Sequence, residues 1–130
     1  MMDWNLHKEK IIEFLRVLPI AERDGASYLF RVEKDRLILE LAVIPHISDV
    51  RIELRHEGIN SPIFKARVRG STGVRYLKGP DGLESITIAY GWECLEITAP
   101  KMDRYSPEDG WIIPTGIRIK VEPHIMVEVV

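Results

Sequence analysis

Two histidines in similar surroundings are the residues whose types most readily suggest chemistry. His46 and His124 each stand in a Pro-His-Ile sequence, and Asp49 and Glu122 lie nearby as oxygen ligands. If the two strand ends are neighbours, these side chains could hold a metal. No His-x-His pair, which would direct two imidazoles to one face of a strand, occurs in the chain. We therefore expect no metal or cofactor, and a metal- or ligand-binding enzyme stays an alternative.

Nucleophilic catalysis has weak support. The single cysteine, Cys94, lies in the sequence WECL, which matches no nucleophile signature, and a buried structural thiol is expected. Ser71 lies in the turn sequence GSTG and not in a Gly-x-Ser-x-Gly element. The same turn has arginines on both sides, but it lacks the spacing of a phosphate-binding loop. We predict an ordinary turn here and favour a protein that is not an enzyme.

Charge is concentrated in one part of the chain. Residues 51–78 contain seven basic and two acidic residues, so the rest must carry seven surplus negative charges to give the net charge of -2. Two alternating strand patterns account for most of the basic residues, and a basic sheet face can bind phosphates. Phe64 alternates to the opposite face, which leaves Tyr76 as the one nearby aromatic candidate for stacking on bases. Weak, salt-sensitive nucleic-acid binding is an alternative function. Its residues would be Arg51, Arg55, Lys65, Arg67, Arg69 and Arg75.

One long segment has no regular period. Residues 99–116 contain three prolines and two glycines, together with Tyr105, Trp111 and Ile112. Aromatic and aliphatic residues among charges are typical of recognition loops. The alternative is that Trp111 fills the end of the core and anchors the segment. We take Tyr105, Trp111 and Ile112 as the candidate protein-binding residues.

A helix must precede the strands. Asp3 is a suitable N-cap, and apolar residues recur at helical spacing from Trp4 through Phe14 and Leu15 to Leu18. Pro19 disfavours helical geometry at the residue before it. The spacing predicts an amphipathic helix over residues 3–18 with Leu18 on its core face.

The remainder alternates with the period of strands. Residues 28–33 and 37–44 predict a hairpin, and residues 50–55 and 64–69 predict two strands with one wet face. The second hairpin strand is apolar on both faces, which predicts a cover on each side: the helix, a second sheet or another subunit. Further alternation at residues 85–90, 95–97, 117–122 and 125–130 brings the total to about eight strands.

We therefore predict one domain, residues 1–130, of the α+β class. One N-terminal helix packs on a mainly antiparallel, curved sheet of about eight strands, as a sandwich or partial barrel, and the alternative is an all-β sandwich with a peripheral helix. A lone cysteine and an N-terminus without a signal peptide's apolar run lead us to expect a soluble, cytoplasmic protein. Its expected role is that of a non-enzymatic accessory protein. It would bind another protein or form a homo-oligomer, without membrane contact.

Overall fold

The computed structural model describes residues 4–22, 26–71, 73–89, 93–98, 105–106, 110–111 and 116–129. Within these residues, helix α1 spans Trp4–Leu15 and is followed by twelve strands and one 3₁₀ turn, Pro45–Ile47. The strands are β1 Ile20–Glu22, β2 Ser27–Lys34, β3 Leu37–Ile44, β4 Asp49–His56, β5 Phe64–Arg69, β6 Val74–Lys78, β7 Glu84–Ala89, β8 Glu93–Thr98, β9 Tyr105–Ser106, β10 Gly110–Trp111, β11 Gly116–Lys120 and β12 Met126–Val129. In these residues no helix has the length and apolar character needed to cross a bilayer.

The strands form two main antiparallel sheets. One has six strands in the order β1-β2-β3-β4-β5-β8, the other has four in the order β12-β11-β7-β6, and β9 and β10 form a separate ribbon. One helix with mainly antiparallel strands agrees with the predicted α+β class. The prediction of one curved sheet of about eight strands was wrong. After β5 the chain leaves the first sheet for β6 and β7 and returns to it with β8, and an alternating pattern does not reveal such a change.

Both sheets contribute to one hydrophobic core, as in a sandwich. Successive side chains of a strand point to opposite faces, so every second residue of the central strands is buried. The six-stranded sheet contributes Phe30, Val32, Leu39, Leu41, Val43, Val50, Ile52, Leu54, Phe64, Ala66 and Val68. The four-stranded sheet contributes Val74, Ile86, Ile88, Ile117 and Ile119.

Helix α1 contacts both sheets. Its Phe14 ring meets Tyr76 of β6 edge to face, with 6.1 Å between ring centroids. The ammonium of Lys8 lies 4.8 Å from the ring centroid of Tyr28 in β2. Ile11 and Leu15 are buried in the shared core. The helix therefore covers the core at the side where the β2 and β6 regions approach each other.

The helix ends three residues earlier than predicted. Arg16 has a φ of 58°, a left-handed conformation that stops an α-helix, and its amide donates to the carbonyl of Ile12 at 2.9 Å. Leu18 is consequently 81% exposed, so its prediction as a core residue was wrong. Pro19 predicted approximately where helix α1 ends, but the left-handed conformation of Arg16 determines its last residue.

The predicted β2–β3 hairpin is confirmed. Lys34 pairs with Leu37, leaving Asp35 and Arg36 as a two-residue turn. Their φ values are 53° and 66°, both positive as a type I′ turn requires. This turn fixes the register in which β3 pairs with β2.

Candidate interaction surface

The side of the six-stranded sheet that faces away from the core carries most of the charged strand residues. We call it the outer face and define it by the residues of β2–β5 that alternate with the core positions. Its members are Ser27, Leu29, Arg31, Glu33, Ile38, Glu40, Ala42, Ile44, Asp49, Arg51, Glu53, Arg55, Lys65, Arg67 and Arg69.

One row of paired residues on this side crosses all six strands of the sheet. Ile20 pairs with Leu29, Leu29 with Ala42, Ala42 with Arg51, Arg51 with Arg67, and Arg67 with Glu96 of β8. Neighbouring strands are about 4.8 Å apart, so the row changes from apolar to basic over one strand spacing. Ile20 is 59% exposed and begins the apolar half.

Among the described residues, only one of the two sides of strand β3 is covered. Leu39, Leu41 and Val43 are buried in the core, whereas Ile38 and Ile44 on the outer face are half-buried. The two-sided apolar pattern predicted a cover on both sides. The second sheet and the helix provide one of them, and the outer face keeps an apolar strip that water can reach.

A buried carboxylate lies under the basic half of the row. Asp49 is 1% exposed, and its two oxygens accept hydrogen bonds from Nε and Nη2 of Arg67 at 3.4 and 3.3 Å. Nη2 of Arg51 lies 3.4 Å from Oδ2 of the same carboxylate. Residues two apart on one strand, and opposite on its neighbour, share a face, which brings the three side chains together. Asp49 thus holds two guanidinium groups side by side.

The other end of the outer face is a second ion-pair network. Glu40 lies 3.5 Å from Nη1 of Arg31 and accepts from Nη2 of Arg55 at 3.1 Å. Arg55 also reaches Glu53 at 2.9 Å, and Arg31 reaches Glu33 at the same distance. Arg31 and Arg55 therefore pair with three carboxylates in this network. At Asp49, in contrast, two arginines pair with one carboxylate.

Between these networks lies an open groove of about 350 Å³. Leu29 and Ala42 give it apolar walls, and Arg51, Lys65 and Arg67 stand along its basic side. Glu40 and Glu53 also line the groove, and Glu53 pairs directly with Lys65. An apolar centre bordered by arginines and carboxylates has the composition of a protein interaction surface.

Five of the six predicted nucleic-acid-binding residues come together. Arg51, Arg55, Lys65, Arg67 and Arg69 share the outer face, as expected from the pairing of β4 with β5. Arg75 is exposed on β6 of the other sheet. The sequence pattern did not indicate that Asp49, Glu40 and Glu53 would pair with the arginines. The i, i+2 spacing of Asp49, Arg51, Glu53 and Arg55 was the available signal.

The two Pro-His-Ile sequences are far apart. His124 lies 3.1 Å from Asp35, at the start of β3, whereas His46 follows the end of that strand. Eight residues of strand span about 26 Å at roughly 3.3 Å each. The described part of the chain contains no group of three His, Cys, Asp or Glu residues placed to hold a metal ion.

The two candidate nucleophiles lie in β8 and in the connection between β5 and β6. Cys94 lies in β8, where its backbone pairs with that of Val68, a fully buried residue. Ser71 is buried, and its hydroxyl oxygen accepts from the amide of Gly73 at 3.3 Å. Its own amide donates to the carbonyl of Ser48 at 3.0 Å. Ser71 is therefore a turn residue, as predicted.

The segment predicted to be irregular contains a small ribbon. Trp111 of β10 pairs with Tyr105 of β9 in antiparallel register, and Gly110 pairs with Ser106. Ile112, the third predicted protein-binding residue, lies outside the described residues. The backbone pairing brings Tyr105 and Trp111 to opposite positions.

No protein-family model and no curated protein sequence matches the chain. Among solved structures, the chain is similar to one chain of a structure described as a contact-dependent growth inhibition toxin–immunity protein complex from Klebsiella pneumoniae 342. The match has a TM-score of 0.65 and 14% sequence identity, and it covers 94% of this chain and 90% of that chain. At this identity, the likeness shows a common fold.

Proposed function

We propose that this protein is a non-enzymatic binding protein that recognises another protein through the outer face of its six-stranded sheet. The observation that carries the proposal is the half-buried apolar strip of β3, bordered by ion-paired arginines. Binding surfaces commonly place apolar residues at the centre, with arginine enriched and polar groups at the rim. A partner bound to the outer face would bury the half-buried residues on that side of β3.

The fold likeness supports this role. The similar structure is described as a complex between a toxin and an immunity protein, so that fold is found in a protein held by another protein. By analogy, the present chain would form a specific complex with a partner protein, as an immunity or accessory protein does. The printed description does not specify which contacts form that complex, so the surface is inferred from the residues of this chain alone.

Nucleic acid is a less suitable occupant of the outer face. Asp49 lies beneath two of the arginines, and Glu40 and Glu53 stand where a phosphate backbone would pass. No aromatic side chain is among the residues of the outer face, so stacking of bases has no support there.

Site-specific photo-cross-linking in the native cells tests the proposal. p-Benzoylphenylalanine replaces Ala42 on the outer face and, as a matched control, Arg118 on the four-stranded sheet. We expect a discrete protein adduct from position 42 that resists nuclease and is absent from position 118. An adduct only with a second copy, adducts of nucleic acid, or equal adducts from both positions would contradict the proposal.

A further inference from the structure

We propose that the outer face recognises an uncharged, apolar segment of its partner protein. The segment would lie across Ile20, Leu29 and Ala42. The charged residues around these three positions would form a rim that requires no opposite charge from the partner. This inference rests on the proposed function and specifies the chemistry of the partner.

The first argument is that three apolar residues lie side by side on neighbouring strands. Leu29 of β2 pairs with Ile20 of β1 on one side and with Ala42 of β3 on the other. Strands are about 4.8 Å apart, so the three positions cross about 10 Å of the sheet. Ile20 is 59% exposed, and Leu29 and Ala42 are half-buried. A partner gains free energy by removing this apolar surface from water.

The second argument is that every charged side chain on the outer face of β2–β5 already has an interaction within this chain. The two networks described above contain four carboxylates and four arginines, and Lys65 and Arg69 also have interactions. Backbone pairing with β8 places Glu96 opposite Arg67 and Glu93 opposite Arg69. Six basic positions therefore stand beside six acidic positions on this side of the sheet. The surface presents no surplus charge that selects an ionic partner.

The third argument is the cost of bringing another charge to this surface. A carboxylate or ammonium of the partner would lose water on binding and would compete with the ion pairs already present. Because the fields of two paired charges largely cancel, a third charge beside them gains little in return. An apolar side chain on Leu29 and Ala42 has no such cost and releases water from both surfaces.

The fourth argument is the size of the groove beside Leu29 and Ala42. Its volume is about 350 Å³, whereas pockets for small molecules begin at about 300 Å³. The groove therefore suits a few side chains rather than a whole secondary-structure element. Side chains at i and i+3 or i+4 of a helix are about 5–6 Å apart, so a single turn of a partner helix supplies neighbouring apolar groups.

Nuclear magnetic resonance titration of the full chain with acetylated and amidated hexapeptides tests the preference. The neutral peptide alternates leucine with glutamine, and two charged peptides alternate leucine with aspartate or with lysine. We expect the neutral peptide to shift the amide signals of Leu29 and Ala42 and to bind at least about threefold more tightly than either charged peptide. A charged peptide that binds as tightly as the neutral one, or no shifts with millimolar neutral peptide, would overturn the inference.

Substitutions locate the contact. Leu29→Ser removes the central apolar side chain and should weaken the neutral peptide about tenfold. Ile20→Ser should also weaken it, and its more exposed position makes unfolding of the chain less of a concern. Leu77→Ser, which replaces a 51% exposed leucine of the four-stranded sheet, and Glu33→Gln, which removes a charge of the rim, should each change the affinity less than about twofold. No loss in either serine variant of the outer face, or an equal loss in Leu77→Ser, would contradict the assigned contact.

The photo-adduct at position 42 separates this inference from the proposed function. Tandem mass spectrometry of the adduct identifies the partner residues joined to position 42, and we expect an uncharged apolar stretch. The adduct yield should change less than about twofold between about 50 and about 500 mM salt, because screening acts on charges. A charged stretch, or a yield that falls about tenfold in high salt, defeats the apolar preference while the protein-binding role stands. If no adduct forms, the proposed function fails, and the peptide titration alone decides the preference of the surface.

Discussion

Arg67 donates to both carboxylate oxygens of Asp49, at 3.4 and 3.3 Å, although the carboxylate is 1% exposed and the arginine is 37% exposed. The two partners are therefore in different environments. A buried carboxylate depends on its cations, whereas a partly exposed guanidinium can exchange a lost partner for water.

This asymmetry predicts unequal losses when either side of the pair is removed. Asp49→Asn should lower the free energy of unfolding by about 1 kcal/mol, because both arginines can be hydrated. The double variant Arg51→Ala, Arg67→Ala removes both arginines that contact the buried carboxylate of Asp49. Its free energy of unfolding should fall by about 3–5 kcal/mol. Urea unfolding of the native protein and of both variants measures the two losses. Losses of equal size would contradict the predicted asymmetry.

The β2–β3 turn predicts a stabilising substitution. Arg36 has a φ of 66°, a conformation that glycine adopts at no steric cost and that costs other residues about 1 kcal/mol. Arg36→Gly should therefore raise the free energy of unfolding by about that amount, less the small contribution of the exposed ion pair between Arg36 and Glu57 at 3.6 Å. Arg36→Ala is the control, because it removes the same ion pair but keeps a Cβ. Urea unfolding should show no gain for Arg36→Ala, and a gain of equal size would rule out the conformational explanation.

The sequence could predict features that depend on neighbouring residues. Alternation on both sides of residues 34–36 predicts the β2–β3 hairpin, and alternation in β4 and β5 predicts that their arginines share one face. Its limit appears at Arg16. A left-handed residue at a helix end is common for glycine and rare for arginine, so propensity gave no reason to end the helix there.

The assignment of strands to sheets could not be predicted. Alternation predicts β5 as a half-buried strand but predicts no strand at Val74–Lys78. In the structure β5 pairs with β8, and β6 pairs with β7 in the other sheet. Alternation of apolar and polar residues indicates that one face of a strand is buried. It does not indicate which other strand pairs with it. The ion pairs of Arg51 and Arg67 depend on that pairing. For this reason the sequence indicates Asp49 only as a candidate metal ligand, whereas in the structure Asp49 lies beneath the two arginines.

Glu122 predicts a pH-dependent contribution to stability. Lys34 donates a 2.7 Å hydrogen bond to Oε2 of Glu122, and this bond and the ammonium charge lower the pKa of Glu122. A carboxyl whose folded pKa is lowered stabilises the fold above its unfolded pKa, and the contribution is lost as pH falls through the folded value. Glu122→Gln should therefore lower the melting temperature at pH 7, with a smaller difference from the native protein at pH 3. Thermal unfolding at both pH values checks this, and a difference independent of pH would contradict the role of the charge.

A glycine in β11 predicts a steric effect. A Cβ at position 116 would lie 2.8 Å from the backbone carbonyl oxygen of Ile88, and a strand carbonyl cannot move aside as a flexible side chain can. Gly116→Ala should thus cost about 1–3 kcal/mol of unfolding free energy, the usual range for overpacking. Gly58→Ala is the matched control, since its Cβ would meet only the His56 ring, at 3.6 Å from Nδ1. Chemical denaturation should show a clear loss for the first variant alone, and similar losses for both would remove the steric explanation.

The Tyr105–Trp111 pair predicts a second contact with the partner. Aromatic residues account for a large part of the binding energy at many protein interfaces, and truncation of such a residue commonly costs about 2 kcal/mol or more. Once the partner has been identified by cross-linking, Trp111→Ala and Tyr105→Ala should each weaken its affinity by about 30-fold, with a smaller effect for Ile112→Ala. Leu83→Ala, which truncates an exposed leucine in the β6–β7 loop, should leave the affinity unchanged. Calorimetric titration gives the affinities, and thermal unfolding of each variant distinguishes a binding role from a structural one. A large fall in the melting temperature of Trp111→Ala would instead identify Trp111 as a core residue that anchors its segment.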